Sequence, residues 1–366
     1  MSSRQQAGEE FRRSVRDWLT AAVAELAGAC VDDVAVRKAW DRKLYNAGLA
    51  GLTWPEEFGG RGLSLLEEYI LHEEAARAGA PEGNGRIGRI LVGPLLIKHG
   101  SPAQQQRYLK PILRGDEVWC QGFSEPGAGS DLAGVSTRAD RTGEHYRVSG
   151  QKVWTSFADQ ADRCLLLART SAEAPRHHNL GMLLLDMRQG GVEVHPITRI
   201  TGERTFSEVR FDGAVVHERD RVGGETDGWR MAMAVLSDER GPIEAITRYL
   251  VMSRHTTMLR ECCARGSRAP ELDEVCARVE TVRWHAMRGL ENALAGIEDR
   301  PADSVSKLMW SHTWQALAAY GLRLGCPRHE QAWQQQYLES RAASVFSGST
   351  QIQRNIIAER VLGLPR

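Results

Sequence analysis

The sequence predicts a mainly helical protein with a compact β segment in its middle, and three observations carry that reading. Apolar residues recur at helical spacing through about the first 115 positions. Between 117 and 222 the pattern changes to short β-rich runs separated by Gly, Pro, Asn and Asp. From Trp229 onward the helical period returns and holds to the end. These changes divide the 366 residues into an N-terminal all-helical domain at 1–116, a central β-barrel domain at 117–222 and a C-terminal helical bundle at 223–366.

Taken in order, Phe11, Val15, Trp18, Leu19, Val23 and Leu26 fall on one face of a helix over 8–30, and Trp40, Leu44 and Ala47 mark another over 35–48. A Pro/Gly turn from Trp54-Pro55 to Gly62 precedes a helix from Ser64 to about Ala78. There Ser64 as N-cap and Glu67 three residues later form a capping-box pattern. Helices follow around 86–99 and 102–113, the second opened by Ser101-Pro102. The β-rich runs are 144–150, 163–169, 180–186, 191–197 and 205–211, a spacing that suits a small barrel or sandwich. The bundle reads as helices at 226–262, kinked at Gly241-Pro242, then 271–297, 302–324, 329–342 and 350–361. Gly363 and Pro365 stop the last of them.

Composition narrows the function classes. Lys+Arg and Asp+Glu both total 47, so no global field favours nucleic acid or an acidic surface. Arginine outnumbers lysine 41 to 6, which reads as genomic base-composition bias. The seven cysteines have no metal-type spacing, Cys262 and Cys263 being adjacent and the rest scattered, so a reducing cytoplasm is expected and no metal. No stretch is apolar for 18 residues and the N-terminus lacks an apolar run, so neither a membrane span nor a secretion signal is expected.

Chemistry concentrates in 120–158. Pro126, Gly127 and Gly129 keep Ser124–Asp131 out of regular structure and allow close backbone approach to a bulky ligand. FSEPGAGSDLA (123–133), VSGQKVWTSFADQAD (148–162) and STQIQRNIIAERVLGLPR (349–366) resemble motifs of the acyl-CoA dehydrogenase family of flavoproteins. GLTWPEEFGGRGLS (51–64), TDGWR (226–230) and SVSKLMWS (304–311) add support in the family's order. The resemblance spans most of the chain. It implies FAD, an all-α/β-barrel/all-α subunit, and oxidation of an acyl thioester, acyl-CoA to enoyl-CoA.

That reaction needs a base for a weakly acidic α-proton, hydrogen bonds to the thioester carbonyl as enolate charge forms, and a flavin N5 to accept the β-hydride. By resemblance Gln121, Phe123 and Ser124 hold the isoalloxazine, Trp154 packs on it and Ser156 lies near N5. Ser349 and Gln351 also contact the cofactor, and Ser130 lies near the CoA phosphates. Asp131 serves that loop or simple turn chemistry equally well.

Many relatives carry a glutamate base before the Gly-Thr of the C-terminal motif, where this chain has Ser347-Gly348-Ser349. An unassisted hydroxyl is too weak a base. A minority place the glutamate on the first long bundle helix, before an arginine, and Glu239-Arg240 meets that pattern. Glu239 is therefore the expected base, with a pKa raised by an apolar pocket. The Ser347 backbone N–H is the donor to the thioester carbonyl, and Arg240 orders the cavity. As a bare run, Asp238-Glu239-Arg240 would read as a charged helix face. Glu244, the nearest competing carboxylate, is more than a turn away.

The family's cross-subunit Arg-x-x-Phe-Gly and Gln-x-x-Gly-Gly-x-Gly patterns for the FAD diphosphate and adenine are missing. Arg254, Arg260 or Arg323 could substitute, or be surface arginines, and the chain looks shortened around 262–275 and 325–333. The resemblance implies a homotetramer or an α2β2 heterotetramer, with a dimer also allowed, and an electron-transferring flavoprotein as acceptor. Two alternatives stand beside the main reading: the same chemistry on an acyl-carrier-protein thioester, and a non-catalytic partner subunit.

Overall fold

Helix gives way to strand, and strand to helix, where the residue period changes. The computed structural model describes residues 3–30, 33–262, 270–297 and 300–365. Cys263 and much of the expected shortening at 262–275 lie outside the described residues. Helices α1 (Ser3–Ala24), α2 (Val34–Asn46), α3 (Leu65–Ala78), α4 (Gly93–His99) and α5 (Pro102–Arg114) come first. Strands β1 (Trp119–Gly122), β2 (Arg138–Thr142), β3 (His145–Ser156), β4 (Arg163–Arg169), β5 (Leu180–Asp186), β6 (Val192–Ile197), β7 (Phe206–His217) and β8 (Arg221–Val222) follow. Then come α6 (Gly228–Asp238), α7 (Pro242–Cys262), α8 (Pro270–Leu294), α9 (Arg300–Arg323), α10 (Glu330–Ala342) and α11 (Thr350–Ile356). The chain divides into two compact units, one of Met1–Val23, Ser64–Ala80 and Glu239–Arg366, the other of Ala24–Leu63 and Pro81–Asp238.

In the second unit the strands form one eight-stranded sheet in the order β6-β7-β3-β2-β4-β5-β8, with β1 parallel to β4. Strands β4 and β5 are buried on both faces, which explains why they read as continuous apolar runs rather than alternations. Cys164, Leu166, Leu183 and Leu185 turn to an interior shared with Tyr146, Val148 and Phe211. Leu165, Leu167, Met182 and Leu184 turn the other way, against Leu109 and Ile112 of α5 and Val235 of α6. Residues from most of the strands thus meet in one interior, the arrangement expected of a small barrel. Strands β1, β2 and β8 escape a sequence reading because they are only 4, 5 and 2 residues long.

The first unit packs α3 on α7 and α8 through Leu65, Tyr69, Ile246 and Leu290, while Trp310, Trp314, Leu317 and Trp333 centre the α7–α10 core. Helix α1 is pinned to α3 by Glu74, a buried carboxylate that accepts from Arg12 Nη1 at 2.7 Å, Arg16 Nε at 2.8 Å and Arg77 Nη1 at 2.8 Å. The hydrogen bond from Arg16, ahead of an opposing burial effect and the bond from Arg12, pulls Glu74 down to about 2. The Ser64/Glu67 capping box forms as the sequence implies. The expected helix at 226–262 is two helices. Pro242 opens α7 as its first residue, and a residue before proline is pushed out of the α region, so the chain breaks over Glu239–Gly241. Among the described residues no helix is long and apolar enough to cross a membrane, and no group of three His, Cys, Asp or Glu could hold a metal ion.

Candidate active site

The residues expected to hold the isoalloxazine fall in the sheet-bearing unit, on β1, the loop after it and the end of β3. Glu125 and Ala128 close that loop with two backbone hydrogen bonds, at 3.0 and 3.1 Å. The Lys152 ammonium, fully buried, donates to the Phe123 carbonyl at 2.9 Å and to Glu125 Oε1 at 2.8 Å. Glu125 also accepts from Ser136 N at 2.6 Å, Ser136 Oγ at 2.7 Å and Thr137 N at 2.9 Å. Burial acts to raise Glu125, yet the Lys152 charge and these hydrogen bonds hold it down at about 2. Burial likewise pushes Lys152 down to about 8, against the pull of Glu125. Val153 N then donates to the Ser124 carbonyl at 2.9 Å, so Phe123 and Ser124 are stitched to β3.

Immediately beyond, the β3–β7 register slips between Lys152 and Thr155, and Trp154 takes a φ of 61°. A left-handed bulky residue is uncommon and strained. The bulge turns the indole outward, leaving it 59% exposed with its ring edge-on to Phe206 at 6.2 Å. The Arg199 guanidinium sits 5.5 Å from the Phe206 ring. Trp154 is thus no core aromatic. An exposed indole on a strand that also carries half-buried Ser156, stitched to half-buried Ser124, offers an apolar face with a polar rim. That donor set fits a planar heteroaromatic ring. Gln121 is half-buried on β1 and Phe123 is buried, whereas Ser130 and Asp131 are exposed, Asp131 pairing with Arg176.

The other expected residues fall in the bundle unit, where Glu239 and Ser347 meet. Glu239 lies in the turn between α6 and α7, not on a helix, because Pro242 ends the helical run before it. Ser347 Oγ donates to Glu239 Oε1 at 2.5 Å. Arg240 Nη1 lies 3.5 Å from the Ser347 carbonyl, which also accepts from Gln353 Nε2 at 3.1 Å. Burial lowers the Arg240 guanidinium, while Glu239 and Asp303 pull it back up. Ser347 has a φ of 53° and Gly348 one of 92°, so the turn is left-handed at two successive residues. A Cβ on Gly348 would come within 2.3 Å of Gln353 Nε2. Ser349 caps α11, its Oγ accepting from Ile352 N at 3.4 Å, and Gln351 is exposed on that helix. Glu244 is engaged by Arg248 Nε at 2.7 Å. Arg254, Arg260 and Arg323 are exposed, Arg323 pairing with Glu271 at 3.3 Å.

Sequence reasoning missed two lysines. Lys152 ties the β1 loop as described, and Lys307 of α9 donates to the Ala343 carbonyl behind the Ser347 turn. One signal could have found both. A chain that keeps only 6 lysines among 47 basic residues draws attention to each of the six, these two included.

Family profiles match the chain in three consecutive blocks: "Acyl-CoA dehydrogenase, N-terminal domain" at 5–116, "middle domain" at 120–214 and "C-terminal domain" at 226–362. The acyl-CoA dehydrogenase IpdE1 of Mycobacterium tuberculosis is 43% identical over 98% of both chains. Among solved structures, the Tcur3481-Tcur3483 steroid ACAD is similar with a TM-score of 0.85 at 26% identity, covering 99% of this chain and 98% of that one. The ChsE4-ChsE5 complex from Mycobacterium tuberculosis is similar with a TM-score of 0.79 at 25% identity, covering 98% of each.

Proposed function

The chain belongs to the acyl-CoA dehydrogenase family, oxidoreductases acting on CH–CH donors, and we propose that it uses Glu239 as base to convert an acyl thioester to its α,β-enoyl form. The observation that carries this reading is the hydrogen bond from Ser347 to Glu239, which brings the expected base to the turn expected to bind the thioester. Glu239 takes the α-proton. The Ser347 N–H donates to the thioester oxygen as negative charge develops there, with Arg240 holding the Ser347 carbonyl side of the same turn. Gln121, Phe123, Ser124, Trp154, Ser156, Ser349 and Gln351 are the residues that would hold FAD, and Ser130 would lie near the CoA phosphates. Bound FAD supplies acceptance of hydride from the β-carbon.

Two finer readings go with this. The similarity to proteins named as a steroid ACAD and as a two-chain complex supports a bulky alicyclic acyl-CoA as substrate and a second, related chain as partner in an α2β2 assembly. An electron-transferring flavoprotein in the cytoplasm would take the electrons.

The test is a panel of acyl-CoA and acyl-carrier-protein thioesters, read by flavin bleaching with an artificial acceptor. The protein purified alone is expected to be yellow, to bleach with a bulky acyl-CoA, and after Glu239→Gln to keep its flavin but lose turnover. Bleaching by carrier-bound substrates alone would move the assignment to carrier-protein chemistry. A colourless protein, with activity only after a partner is added, would make it the non-catalytic subunit.

A further inference from the structure

Lys307 is buried to 2% exposure on α9, and nothing in the proposed chemistry uses it. A buried ammonium is costly unless something holds it. Here Nζ donates to the carbonyl of Ala343, just past the end of α10, and lies 4.6 Å from the Trp310 ring and 5.1 Å from the Phe346 ring. Phe346 directly precedes Ser347. One ammonium therefore grips both ends of the Ala343–Phe346 turn, whose next residue reaches Glu239.

Among the described residues, the charged groups that act on Lys307 include Arg248 and Glu244 of α7, Glu239 and Arg240 of the turn before it, and His312 on its own helix, with Asp303 of α9 acting on Arg240. Burial first, then Arg248, press its ammonium down to about 8, while Glu239 pulls it up. Such coupling is reciprocal. A carboxylate that favours the lysine's proton is itself favoured, as carboxylate, by the ammonium.

We infer that Lys307 is a positioning residue for the Glu239 base: it fixes the turn that offers Ser347 to Glu239, and its charge keeps that carboxylate ready to accept a proton. The inference rests on Glu239 being the base.

Two measurements on the flavin-loaded protein separate the two claims. The first is the pH profile of kcat/KM for wild type, Lys307→Met, Lys307→Arg and Glu239→Gln, using the best thioester of the panel. Lys307→Met is expected to move the acid limb upward by about one pH unit, the size of a lost neighbouring charge. Lys307→Arg returns it toward the wild-type position. A uniform loss of rate with the limb unmoved would mean a structural lysine and overturn the inference. Turnover surviving in Glu239→Gln would instead overturn the base assignment. The second measurement needs no turnover and covers a Lys307→Met variant that fails to fold. It is a pH titration of Trp310 fluorescence, taken as wild type minus Trp310→Phe. A midpoint near pH 8 that falls in Glu239→Gln supports the coupling. A signal flat in wild type, or a midpoint indifferent to Glu239→Gln, overturns it.

Discussion

Replacing Lys152 with methionine removes the cation that ties the β1 loop to β3. The Phe123 carbonyl loses its 2.9 Å donor, and Glu125, 5% exposed, keeps its three hydrogen bonds from Ser136 and Thr137 but no counter-charge. Breaking a buried pair on one side costs about 3–5 kcal/mol, and those remaining donors place the loss near the lower end, about 3 kcal/mol. In Glu125→Gln/Lys152→Met the amide oxygen, in the Oε2 position, still accepts from Ser136 N and Oγ while Thr137 N–H loses its acceptor, so the double variant should lose about 2 kcal/mol. It is therefore expected to be more stable than Lys152→Met alone. The pH dependence adds a second check. Lys152 sits at about 8 when folded and at 10.5 as an ordinary lysine, so the folded chain binds fewer protons between those values. Wild-type stability then gains with rising pH across that window, and the methionine variant lacks the gain. Urea unfolding at pH 7 and about pH 9.5, with flavin absorbance followed in parallel, reads both effects. Coincident midpoints for wild type and Lys152→Met, or a double variant that loses the sum of its singles, would refute the argument.

Three further outcomes are expected. Glu74→Gln should cost about 2–3 kcal/mol, because three arginines lose their shared charge, discounted for the exposure of Arg16 and Arg77. Since Glu74 is pulled from 4.5 to about 2, its contribution is complete above 4.5 and is lost as the pH falls toward 2, so wild-type and variant urea midpoints should converge there. Gly348→Ala forces a side chain into a φ of 92° against Gln353, and should lower stability by about 1–3 kcal/mol and turnover with it, measured by thermal unfolding and flavin bleaching. Trp154→Ala should leave the urea midpoint within about 0.5 kcal/mol of wild type while weakening flavin retention. A large loss of stability there would mean that the indole is packing, not waiting for a ligand.

Much of the fold was legible because its signals are local. Ser64 and Glu67 name their own capping box, Ser101-Pro102 opens α5, and the apolar runs 163–169 and 180–186 match β4 and β5 residue for residue. What stayed hidden depends on partners distant in sequence. The polar β2 run Arg138–Thr142 becomes a strand only because β3 folds back on it across Gly143. The break at Glu239 was visible as Gly241-Pro242, but only as a kink, since the sequence does not show that the chain stays non-helical for three residues. For the candidate site, Glu239 and Ser347 could be named from their motifs. Their hydrogen bond, spanning 108 positions, could not.

The two clusters share a construction that also explains which parts were invisible. Among the described residues only four non-glycine residues have positive φ, and Trp154, Phe157 and Ser347 are three of them. Strain of this kind persists only where surrounding contacts outweigh it. Behind Trp154 stands Lys152, buried and bound to the Phe123 carbonyl; behind Ser347 stands Lys307, buried and bound to the Ala343 carbonyl. In each case a lysine spends a backbone-directed hydrogen bond, and a costly desolvation, to hold a turn in a shape its own residues disfavour. An apolar side chain of equal length would avoid the desolvation but would leave a buried carbonyl unpaired and the turn free to relax. The lysines, more than the glycines beside them, are thus what holds these two turns in shape.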